Sequence, residues 1–248
     1  MDVSDPTRSI TPSLDGPVLA VLAVAGRPMT VGEIAQVAVR GSEVGIRKCV
    51  NRLVDQGIVR AMEMGRNRVH ELNTQHIAAP IARLMADLRL ELINRLRGEL
   101  AAWNPRPIAA WLFGSASRGD GDETSDIDLL MVRGLRAGEK MQLFPKAKDG
   151  PLGVLAQIAE AYVNSQDQAQ NPWLKRNGES NWEAQLDRLR GYVFSWTGNH
   201  AQIVELTTTE LAQQRRTNAA LFDDIERDAV SLIQQPFVPL GLRGMKES

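Results

Sequence analysis

The chain has 248 residues, 43% of them hydrophobic, which is enough for one large or two modest cores. Lys and Arg number 29 against 30 Asp and Glu, a formal net charge of -1. That balance excludes a generic polyanion binder and confines any nucleic-acid contact to a local patch. A single cysteine, Cys49, excludes an intramolecular disulfide and a Cys-rich zinc site, and the three histidines, His70, His76 and His200, are too scattered for a histidine metal cluster. The N-terminus MDVSDPTRSITPS is polar and acidic where a signal peptide is basic and apolar, and no apolar run is long enough to span a bilayer. A cytoplasmic protein without membrane contact is expected.

Residues 1–13, with two prolines and five Ser/Thr, read as a flexible arm. From Pro17 to Ala25 the apolar density rises into a short buried helix stopped by Gly26 and Pro28. Thr30 and Glu33 form a capping-box pattern that opens a second helix. Gly41-Ser42 opens a third, in which Ile46, Cys49, Val50, Leu53 and Val54 recur at helical spacing up to Gly57. Ile58–Met64 and Arg68–Leu72 then read as two strands joined by Gly65-Arg66-Asn67, a hairpin turn. Three helices followed by a basic-tipped hairpin resemble a winged helix-turn-helix over about residues 14–75, and RKCVNRLVDQGIVR is similar to the end of a recognition helix and the start of a wing.

With its apolar residues buried, the third helix leaves Ser42, Arg47, Lys48, Asn51 and Arg52 on or near its open face. Side chains of these types meet phosphates and base edges in a major groove, and Arg66 and Arg68 at the hairpin tip can reach an adjacent groove. Between Arg40 and Arg68 there are seven basic and three acidic residues, the local excess that a double-stranded DNA interface requires. Use of the same surface for protein contacts such as dimerisation is the alternative.

From His76 to Ala102, Ile77, Ile81, Leu84, Met85, Leu88, Leu92, Leu96 and Leu100 fall at spacings of three and four. They predict one long amphipathic helix, a connecting element over 76–106 that packs on the next domain or forms the seam of a homodimer.

Residues 108–132 read IAAWLFGSASRGDGDETSDIDLLMV. Ile108–Phe113 and Ile127–Val132 are short bulky runs suited to buried strands. Between them, Gly114-Ser115 allows a sharp turn and close approach to a ligand, and offers a hydroxyl and backbone N–H to phosphate oxygens. Asp126 and Asp128 stand two apart and so share a face of the second strand. Two such carboxylates repel unless a cation lies between them, and hard oxygen donors suit Mg²⁺ or Mn²⁺.

Gly114-Ser115, ten intervening residues and Asp126-Ile127-Asp128 resemble the signature of the polymerase-beta-like nucleotidyltransferase superfamily, and SASRG resembles its minimal branch. The resemblance implies transfer of an NMP group from an NTP to an acceptor that could be RNA, protein or a small molecule. It assigns Gly114, Ser115 and Arg118 to the nucleotide. Further on, Leu152–Gln166 predicts a helix and the polar stretch to Ser180 a loop. Trp182–Trp196 predicts a second helix and Gln202–Leu206 a third strand. Glu205, a lone acid in that strand, calls for a partner. The resemblance makes it a third metal ligand beside Asp126 and Asp128, although aspartate is commoner there. Leu221–Ile233 predicts a short helix and an edge strand. The expected class is α+β: a winged helix domain, a connecting helix, and a nucleotidyltransferase domain over 107–248 with a small mixed sheet and packed helices. A regulator whose second domain only senses nucleotide or mediates assembly is the alternative.

Overall fold

The computed structural model describes residues 1–134, 178–217 and 219–233. A short helix that the sequence suggests within 134–146, the expected helix of 152–166, most of the polar loop after it, and the C-terminal tail lie outside the described residues. The chain forms two compact units: Met1–Leu92 with Asp122–Thr124, and Ile93–Gly121 with the described residues from Ser125 onward. Among the described residues no helix is long and apolar enough to cross a membrane.

In the first unit α1 (Asp15–Ala25), α2 (Val31–Val37) and α3 (Glu43–Asp55) precede β1 (Val59–Met64) and β2 (Asn67–Leu72). The two strands pair antiparallel across the turn Gly65-Arg66, with Met64 opposite Asn67. The caps act as their residue types dictate. The Thr30 hydroxyl accepts from Glu33 N while Glu33 accepts from Thr30 N, and the Ser42 hydroxyl accepts from Gly45 N at 3.2 Å. Val18, Leu22, Ile34, Ile46, Val50 and Leu53 are buried in one core with Val59 and Leu72 of the hairpin. Met29 adds an antiparallel bridge to His70, which the sequence pattern did not indicate.

Two expectations require correction. Residues 1–13 are no free arm. Pro6–Ser9 form a 3-10 turn, and Val3, Asp5 and Thr7 are buried. Asp5 pairs with Arg40, whose guanidinium also donates to the Pro12 and Ser13 carbonyls. The reason is charge: a buried carboxylate near the N-terminus finds its cation 35 residues away in the connection between α2 and α3. The single helix of 76–102 is two, α4 (Ala79–Ala86) and α5 (Leu88–Ala101), parted at Asp87. Ala79 and Ala82 of α4 join the first core, whereas Leu96 and Leu100 of α5 are buried in the second unit. A break lets one apolar pattern serve two cores. Ile77, Ile81 and Leu84 stay exposed.

The second unit holds a four-stranded mixed sheet in the order β5-β4-β3-β6, formed by β3 (Ala109–Phe113), β4 (Ile127–Arg133), β5 (Ala201–Thr207) and β6 (Val230–Ser231). β3 pairs antiparallel with β4 and β6, and β4 pairs parallel with β5. Around it stand α6 (Gly114–Arg118), α7 (Gly178–Thr197), α8 (Thr208–Thr217) and α9 (Ala219–Asp228). Trp111, Leu130 and Val132 pack with Leu211 of α8 and Phe222 and Ile225 of α9 on one face. Leu112, Leu129 and Met131, on the other face by alternation, are also buried. α7 buries Trp182, Leu186, Leu189 and Val193 at helical spacing. Its Trp182 meets Trp103 edge to face at 5.1 Å, and Arg188 pairs with Glu99 of α5. The cap of α8 is Thr207, in a reciprocal pair with Glu210.

Candidate active site and a basic groove

β3 ends where Gly114 takes φ +69, a left-handed conformation that glycine adopts without strain. A Cβ at Gly114 would fall inside van der Waals contact of Asp128 Oδ2 and 3.1 Å from its Cγ. The glycine is therefore required twice, by the turn and by the carboxylate lying against it. A Cβ at Gly121 would stand 2.7 Å from Ser115 Oγ, so a second glycine gives the Ser115 hydroxyl its room. Ser117 is buried and donates to the Gly114 carbonyl at 2.8 Å, which fixes the turn from below. On the other strand, Ile127 N donates to the His200 carbonyl, and the Asn199 amide donates to the Ser125 carbonyl at 2.8 Å. These bonds anchor the chain on both sides of Asp126.

The register places Asp128 opposite Phe113 and Gln202, at the open end of the face that α8 and α9 cover further along. Asp126 is exposed and Asp128 half-buried. Burial and the neighbouring Asp126 charge push the Asp128 carboxyl above its ordinary range, against a smaller opposing pull from Arg118. Arg118 itself pairs with Asp120 at 2.9 Å. Gly114, Ser115, Asp126 and Asp128 thus gather at one sheet end, with Arg118 close enough for its charge to reach the pair.

Glu205 does not join them. It stands opposite Met131 in the parallel register, on the face of Leu129 and Arg133, while Asp128 shares the other face with Leu130 and Val132. Three residues of strand add about 10 Å along the chain. Its partner is a side chain: Arg133, with its side chain 6% exposed, donates Nε to Glu205 Oε1 at 2.9 Å. The reasoning that a half-buried acid needs a cation holds, but the cation is a guanidinium, so Glu205 is corrected from metal ligand to structural ion pair. On the Asp128 face, β5 offers Gln202, Val204 and Leu206. Among the described residues no group of three or more His, Cys, Asp or Glu is placed to hold a metal ion.

The donor set still fits a divalent cation whose other positions come from substrate and water. Two neighbouring carboxylates, one of them resisting ionisation because of burial and then the charge of the other, supply the negative field for a hard cation, and triphosphate oxygens complete such sites.

In the first unit the residues expected to meet DNA divide. Arg47 and Asn51 of α3, Arg66 and Arg68 of the hairpin tip, and the start of α2 surround one groove of about 300 Å³, with His70 among its lining residues. Lys48 is exposed on the helix. Ser42 is engaged as the cap of α3. Arg52 turns to Asp15, which also accepts from the Cys49 thiol. His70 carried no functional reading in the sequence; its strand alternation with Arg68 was the available signal.

Residues 93–140 match the model of the nucleotidyltransferase domain family, a span that contains Gly114, Ser115, Arg118, Asp126 and Asp128. That match supports general nucleotidyl transfer as the chemical class. No curated protein and no solved structure matches the chain.

Proposed function

We propose that the protein is a divalent-metal-dependent nucleotidyltransferase that moves an NMP group from an NTP to an acceptor hydroxyl, joined to a winged helix-turn-helix module that binds double-stranded DNA. The observation that carries the first half is the fit of Asp128 against Gly114: the turn offered to phosphates and the acid offered to the cation are one packed unit within the family-matched segment. Asp126 and Asp128 would hold Mg²⁺ or Mn²⁺, which on binding supplies charge neutralisation for the triphosphate and a lower pKa for the attacking hydroxyl. Gly114 N–H and the Ser115 hydroxyl orient phosphate oxygens, and Arg118 adds positive charge beside them. The second half is supported by the order of three helices and hairpin, and by the convergence of Arg47, Asn51, Arg66 and Arg68 on one groove.

The test is transfer of label from α-labelled NTPs to cell RNA, protein or small molecules, compared with Asp126→Ala/Asp128→Ala. Label should move in the wild type and stay in the NTP in the variant. The absence of a carboxylate beside Asp128 on β5 favours a second reading, a DNA-bound regulator that senses nucleotide without turning it over. On that reading wild type and variant transfer no label, yet both shift DNA.

A further inference from the structure

His70 is 2% exposed, and neither ring nitrogen has a hydrogen-bond partner. An imidazole buried without partners costs free energy that a ligand could recover. This one lines the basic groove, on the same strand face as Arg68, with Arg47 entering from α3 and Arg66 from the turn. The acids facing it are already engaged or outnumbered. Glu43 pairs with Arg47 at 2.6 Å, Glu33 of α2 is held by Thr30 and Arg27, and Glu63 stands opposite Arg68 across the hairpin. Three guanidinium groups around an unpartnered ring form a setting that a tetrahedral oxyanion fits: forked N–H donors outside, a ring N–H beneath.

We propose that this groove seats a single phosphate group, from a DNA backbone or a free phosphate ligand, and that His70 takes up one proton from solvent as the phosphate enters. In the free protein burial, reinforced by Arg68 and Arg47, holds the imidazole below its ordinary pKa, against the Met29 carbonyl and Glu63. That direction favours the neutral ring in the free protein. An anion against the ring reverses the local field and favours imidazolium, and linkage then makes phosphate bind more tightly as pH falls. The inference rests on the surface given above to DNA, but it can fail or stand separately from that reading.

Proton NMR of the full chain tests it, since only three histidines contribute and the His70 ring signal is identified by its loss in His70→Gln. Its titration midpoint is followed alone, with sulfate as a non-titrating stand-in for free phosphate, and with a short mixed-sequence DNA duplex. At least one ligand should raise the midpoint by about one unit, with about tenfold tighter binding below the midpoints than above them. His76 and His200 should stay in place, and Arg66→Gln/Arg68→Gln should abolish the shift. A shift with DNA alone identifies a backbone seat, and a shift with sulfate alone identifies a free-anion seat and removes the DNA reading of this groove. DNA that binds without moving His70, where sulfate does not move it either, overturns the seat and leaves DNA binding standing. A midpoint that neither ligand moves, or a shift that persists in the double arginine variant, also overturns the seat.

Discussion

The two ends of β4 carry acids with opposite fates. At its start, Asp128 lies against a glycine turn with the Asp126 charge acting on it, and Arg118, whose charge also reaches it, is already shared with Asp120. At its far end, Glu205 on the neighbouring strand is matched by a buried arginine. The same contrast recurs in the first unit, where Arg52 is neutralised by Asp15 and Arg47 by Glu43 while Arg66 and Arg68 stand at the groove. A charge balanced within the fold holds the fold; a cluster of like charge left at a groove or sheet end is placed for a ligand. Each prediction below tests one side of that distinction.

The largest effect belongs to the acid pair. Asp126→Ala/Asp128→Ala should reduce nucleotidyl transfer by about 10³-fold or more, the loss of several kcal/mol of charge stabilisation, with little change in melting temperature. Gly114→Ala comes next. Its methyl group meets the Asp128 carboxylate and its φ is left-handed, so transfer should fall about 100-fold and stability by about 1–2 kcal/mol in denaturant titration.

In the first unit, Arg66→Glu/Arg68→Glu should weaken duplex binding and lower its salt slope by about 2, read from affinity against salt concentration. Arg52→Ala, which breaks an internal pair, should leave that slope unchanged. Glu205→Gln sharpens the contrast on β5: transfer should stay within about twofold of wild type, while stability drops about 1–2 kcal/mol because Arg133 loses its charged partner. The last effect is on chemical reactivity and touches neither transfer nor DNA binding. Burial and the Asp15 carboxylate push the Cys49 thiol up to about 12, so at pH 8 alkylation of the native protein should run about 10³-fold slower than after unfolding. Mass spectrometry after timed labelling measures it.

Local signals were legible where a residue acts on its own neighbours in the chain. Thr30 with Glu33, Ser42, the turn at Gly65-Arg66 and the strands around Gly114-Ser115 all formed as their patterns indicated. The closeness of Asp126 and Asp128 was legible for the same reason, since they stand two apart at the start of a strand. What alternation could not give was the register of β5 against β4, and one residue of register decides which face Glu205 takes. Arg133 was hidden in a strand reading that stopped at Val132. Asp5 and Arg40 are 35 positions apart, beyond any periodic pattern, so the ordered N-terminal turn was hidden too. The break at Asp87 escaped because α4 and α5 both continue the same apolar spacing although they serve different cores.

The most direct test of the central claim is Mn²⁺ binding in the presence of a non-hydrolysable NTP, read by electron paramagnetic resonance for wild type, Asp126→Ala/Asp128→Ala and Glu205→Gln. Binding at wild-type strength in Glu205→Gln with its loss in the aspartate variant is the predicted result. Binding that survives removal of both aspartates, or that disappears with Glu205, would contradict the account.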